Sequence, residues 1–213
     1  MCPEVAVSLN CGARPPWFSK RACFENLLQT KDENTTISVL FDGDLSKHWI
    51  TNYPVEIVEV KAGTGDFSFL EQIQFAKKKG FSDDSILYIL EDDYKHKSNW
   101  PTVLREAFNH PKPPKYASLF DHPDKYEYPE YEDLMAKLYV TPSCHWRTTP
   151  STTNTFASLY KTFKEDYRIH EYFLNYDHVK FCRLADGGRF LWTCIPGWSI
   201  HQGKDEEEFL SFK

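Results

Sequence analysis

Apolar residues recur in short runs through the first 120 positions, separated by stretches in which they fall at helical spacing. That alternation predicts strands interleaved with helices, the pattern of a parallel sheet covered on both faces. The runs are residues 5–9, 37–41, 55–60, 86–90 and 116–120. Between them, Phe18, Ala22, Phe24, Leu27 and Leu28 follow Pro15 and Pro16 at helical intervals, proline being favoured in a first turn. Phe67, Leu70, Ile73, Phe75 and Ala76 mark a second apolar helix face that stops at Gly80, a residue suited to a left-handed C-cap. The run 86–90 is apolar at every position but Tyr88, which predicts a central strand buried on both faces. After Asp121 the rhythm changes to a polar, aromatic tract. Residues 135–141 then read as an antiparallel strand, 155–163 as a helix, 177–184 as a helix ended by Gly187 and Gly188, and 190–195 as a strand.

Composition narrows the class. With 213 residues and 41% hydrophobic content the chain can bury a core without disulfides or a structural metal, and one domain spanning residues 1–213 is expected. The charged run 204–208 also suits a junction to further domains of a longer protein. A net charge of −6 without a long basic stretch argues against nucleic acid or an anionic membrane as partner. No apolar run approaches the ~18 residues of a membrane span. Six cysteines contain no C-x-x-C pair, so neither a zinc knuckle nor a redox motif is indicated, and reduced thiols point to the cytoplasm.

Candidate chemistry begins with Glu91, Asp92 and Asp93, directly after the most apolar run. In open α/β sheets ligands bind beyond the carboxyl ends of strands, and a divalent cation relieves the repulsion of adjacent carboxylates. Such acids also serve as the solvated turn before a helix, here ahead of Trp100. Near the other end, His201 is followed by Gly203 and Lys204, whose amide and ammonium suit a diphosphate, although a single histidine often only satisfies a core. Asp177 heads the late helix, where it is an N-cap or an acid facing a substrate. The tract 121–131 offers tyrosine rings to stack on sugar faces and acids for hydroxyls, or forms a plain surface loop; residues 143–154, around Trp146 and Arg147, invite the same two readings.

The order of strand, acidic triplet, helix-starting acid, Gly187-Gly188, strand and C-terminal His201 resembles the GT-A nucleotide-diphospho-sugar glycosyltransferases, and more narrowly a virus-encoded member. The resemblance implies a Rossmann-like, mostly parallel central sheet flanked by helices. It implies transfer of a hexosyl or deoxyhexosyl group from a UDP-sugar donor to a glycan or glycoprotein acceptor, with a divalent cation, Mn preferred or Mg, in the cytoplasm, of the host if viral. Carried over by position, Asp93 and His201 would ligate the metal through a D-x-D-like element, and Asp92 would lie nearer the ribose. Leu9, Asn10 and Arg14 would wrap the nucleotide, Asp42 would meet its base, Lys204 would contact the diphosphate, and Asp177 would act on the acceptor. Glu91 departs from the pattern, since many members carry Asp there. Two rival functions share these features: a sugar-phosphate nucleotidyltransferase, weakened by the few glycines after the first run, and a non-catalytic carbohydrate-binding module.

Overall fold

The computed structural model describes residues 16–202. Three short strands and two helices open it: α1 (Lys20–Thr30), β1 (Ser38–Phe41), β2 (Glu56–Glu59), α2 (Gly65–Lys79) and β3 (Ile86–Ile89). β4 (Tyr94–His96), α3 (Trp100–Phe108), β5 (Tyr116–Ser118) and the single turn α4 (Asp124–Glu127) follow. The chain then forms β6 (Leu138–Val140), β7 (His145–Thr149), β8 (Phe156–Leu159), α5 (Tyr160–Glu165), α6 (Tyr167–Tyr172), α7 (Asp177–Asp186), β9 (Leu191–Ile195) and β10 (Ser199–His201). Helix α2 is built as its sequence dictates. The Thr64 hydroxyl caps its first turn, Lys77, Lys78 and Lys79 sit at the negative end of its dipole, and Gly80 closes it at φ 62° with its N–H on the Ala76 carbonyl.

The main sheet corrects the expected architecture. Its six strands run β3-β8-β5-β9-β7-β6, and of their five pairings only β5 with β9 is parallel. A mostly parallel, GT-A-type sheet is therefore not what the described residues form; β1 and β2 pair in parallel as a separate two-stranded sheet. The cause is β8. Residues 155–163 were expected to be helical, yet Phe156–Leu159 is a strand inserted antiparallel between β3 and β5, and the helix begins only at Tyr160. Ala157 and Ser158 carry no strand signature of their own; tertiary pairing overrides their propensity. Among the described residues β3 pairs on one side only, with β8, so its continuous apolar character does not mark a doubly flanked strand.

Side chains alternate across the sheet and bind a helical layer to each face. Tyr116, Phe156 and Leu191 point to the side covered by Phe69 and Ile73 of α2, Phe163 of α5 and Phe181 and Leu184 of α7. Ala117, Ala157 and Trp192 point to the other, under Val103, Leu104, Ala107 and Phe108 of α3. Tyr139 of the outer strand β6 stacks on Trp192 with ring centroids 4.0 Å apart. No helix among the described residues is long and apolar enough to cross a membrane.

The placement of β8 is checked by Phe156, whose side chain is fully enclosed between β8 and three helices. Phe156→Ala is expected to lower the free energy of unfolding in urea by about 3–5 kcal/mol. A loss below about 1 kcal/mol would mean that this segment does not fill the core.

Candidate functional site

The site is the end of the sheet where β3 delivers Glu91, Asp92 and Asp93. Each of the three acids meets a different partner. Lys20, the first residue of α1, is buried, and its Nζ lies 2.9 Å from Asp92 Oδ2. A lysine in a first helical turn opposes the helix dipole, and Asp92 is the compensating charge. Burial nevertheless pushes the Asp92 carboxyl above its usual range, with Lys20 pulling the other way.

Asp93 is held by a strand pairing. β4 and β10 run antiparallel with Tyr94 opposite His201, the Gln202 N–H donates to the Asp93 carbonyl at 2.7 Å, and His201 Nε2 lies 3.0 Å from Asp93 Oδ2. Gly197 makes this return possible. A Cβ there would stand 3.3 Å from the Asp121 amide and from the Ser199 carbonyl, in the turn that hands the Leu119 carbonyl to the N–H groups of Trp198 and Ser199. Asn26 of α1 clamps β4 from the other side through both backbone groups of His96.

Glu91 is the exposed member of the triplet. Its residue presents surface to solvent, yet protein packed about the carboxyl pushes its pKa up to about 7, chiefly by desolvation and then by repulsion from Asp93. The Thr155 hydroxyl donates to Glu91 Oε2 at 3.0 Å. Thr155 leads into β8, so the antiparallel insertion that changed the sheet also supplies the partner of Glu91.

Across from Glu91 stands α7. Asp177 is its first residue, and its Oδ1 accepts the His178 N–H at 2.9 Å. One turn on, Lys180 is fully buried; its ammonium donates to Asn154 Oδ1 and sits 4.1 Å from the centre of the Phe69 ring. Burial lowers the Lys180 pKa to about 7, while Asp177 and Glu91 act in the opposite direction. The neighbouring wall carries more charge. Lys125 is buried with its Nζ 2.6 Å from Asp124 Oδ2 and 3.2 Å from the Ser151 hydroxyl, and Ser151 in turn bonds His178 Nδ1 at 3.1 Å. His122, its pKa lowered by burial, accepts the Asp124 N–H and lies near enough to His201 to feel its charge.

The expected residues therefore divide. Asp92, Asp93, His201 and Asp177 gather at one end of the sheet. Asp42 follows β1 as expected, but its Oδ2 is taken by the N–H groups of Ala62 and Gly63, at 3.1 and 2.6 Å, where it braces the turn after β2. Leu9, Asn10, Arg14 and Lys204 lie outside the described residues. The expectation of a D-x-D-type, manganese-ligating motif is corrected. Among the described residues no group of three His, Cys, Asp or Glu side chains is arranged to hold a metal ion; Asp92 faces a lysine, and Asp93 faces a single histidine. Lys20, Lys125, Thr155 and Lys180 were missed. Lys180 had a signal, since it falls on the apolar stripe of α7 with Phe181 and Leu184. No protein family, no characterised protein and no solved structure matches this chain.

Lys180 gives this subsection its test. Because its folded pKa lies below the unfolded value, the unfolded chain holds more protons between about pH 7 and pH 10, and stability should rise with pH across that window. Lys180→Met removes the cost of burying the ammonium and should be the more stable protein at pH 6 by roughly 2–4 kcal/mol, an advantage that shrinks above pH 7. Urea unfolding of both proteins at pH 6, 8 and 9.5 measures it; a parent more stable than the variant at pH 6 would show a well-paired ammonium instead.

Proposed function

We propose that the chain transfers a hexosyl or deoxyhexosyl group from a UDP-sugar to a glycan acceptor. The observation that carries this reading is the convergence, at one end of the sheet, of the Asp93–His201 pair with Glu91, Asp177 and Lys180. Perturbed acids and bases gathered in this way favour group transfer over passive binding. Transfer breaks the bond between the anomeric carbon and the β-phosphate oxygen, leaves charge on the departing UDP, and needs a base for the acceptor hydroxyl. Lys125, largely buried beside Asp124, is a cation of this wall that can meet the leaving charge. Asp177, half-buried at the head of α7, suits the proton of the incoming hydroxyl.

Two side-chain ligands are too few for a protein-only metal site, but they fit a divalent cation that keeps most of its ligands as phosphate and water oxygens. Asp93 and His201 would hold such an ion as it arrives with the donor. Its chemistry there is to screen the diphosphate charge.

The test is calorimetric titration of the chain with UDP, in magnesium and in chelator. UDP is expected to bind, more tightly with the cation, and Asp93→Asn is expected to weaken it by about tenfold or more. Asp177→Asn should leave UDP affinity within about twofold while costing roughly a hundredfold or more in turnover. Absence of UDP binding under both conditions, with glycan binding retained, would convert the protein into a carbohydrate-binding module.

A further inference from the structure

We infer that Tyr126 is a stacking platform for a sugar ring of the acceptor, an assignment that rests on the transferase reading and gives it an acceptor subsite. The ring stands on the single turn α4, directly after the loop that leaves β5. It is 64% exposed, and it is nonetheless fixed at two points. Its hydroxyl donates to Asp121 Oδ2 at 2.6 Å, and the Arg147 guanidinium covers the ring at 4.8 Å from its centre. Asp121 holds both groups, since its other oxygen accepts from Arg147 at 2.6 Å. With the hydroxyl engaged and one face backed, the surface that Tyr126 offers to solvent is its second face and edge.

An exposed tyrosine of ordinary surface is free to rotate and pays ordering entropy when a ligand arrives; a pinned ring has lost that entropy already. Flat aromatic faces carry negative charge density, and the C–H face of a pyranose is the complementary surface. The location fits the acceptor. Tyr131, from the same tract, backs onto Lys125 at 4.4 Å and reaches His178 Nδ1 at 3.3 Å, so the tract is tied to the first turn of α7, beside Asp177. His122 and Asp124, paired with each other at 2.9 Å, brace the start of the same tract. The net charge of −6 disfavours a nucleic-acid base as the stacked ring.

Saturation-transfer NMR of the whole chain with methyl glycosides of glucose, galactose, mannose and rhamnose, with and without UDP, tests the platform. The expected result is saturation of the ring C–H protons of at least one glycoside, weakened roughly three- to tenfold in Tyr126→Ala and far less in Tyr126→Phe, which keeps the ring. Both variants should keep the parent's melting temperature within a few degrees and its UDP affinity. Saturation of no glycoside, or equal binding by Tyr126→Ala, overturns the platform. The UDP arm separates the two readings: UDP binding without a Tyr126 effect sinks the platform alone, and a Tyr126 effect without UDP binding sinks the transferase reading alone.

Discussion

Three consecutive carboxylates at the end of a strand repel one another, and most of what surrounds β3 answers that repulsion. Asp92 draws the first residue of α1 into the interior, so the start of that helix is anchored by charge and not only by the Ser19 cap. Asp93 draws in His201, and the β4–β10 ladder, with Asn26 clamping it, holds the two 3.0 Å apart. Glu91 draws Thr155 from the entry to β8. Three distant segments are thus bound to one triplet, each through a different chemistry: an ammonium, an imidazole and a hydroxyl. The electrostatic cost is not removed. Desolvation and repulsion from Asp93 leave the Glu91 carboxyl with a pKa raised to about 7, and burial shifts the Asp92 carboxyl upward.

The antiparallel insertion of β8 links fold to site. Its entry segment carries Ser151 to Lys125 and His178, Asn154 to Lys180, and Thr155 to Glu91. Ser151 and Asn154 between them join the wall that follows β5 to α7, and Thr155 joins the start of β8 to Glu91 of the triplet. A sheet with β8 elsewhere would leave Lys180 buried without its amide partner, a costly arrangement for an ammonium.

Much of this was legible in the sequence where local pattern decides. Helix α2 announces itself through its apolar face and Gly80, α7 starts at Asp177, and Glu91, Asp92 and Asp93 do follow a strand, because strand, turn and cap chemistry act over a few residues. β4 and β10 did not show, since three residues give no period and their partner lies about a hundred positions away. β8 was misread for the opposite reason: Ala157 and Ser158 suit a helix, and only long-range pairing on both sides makes them a strand. The site followed the same division. Its acids were visible as a cluster, whereas Lys20 and Lys125 look like ordinary solvated lysines until the fold buries them beside carboxylates.

The most direct measurement is a crystal structure of the chain grown with UDP and magnesium. The expected result is a diphosphate at the end of β3, in contact with the Asp93 and His201 side chains or with an ion they share, and with the side toward Asp177 left open for an acceptor. A nucleotide bound elsewhere on the molecule, with Asp93 and His201 untouched, would contradict the assignment of this carboxylate end as the donor site.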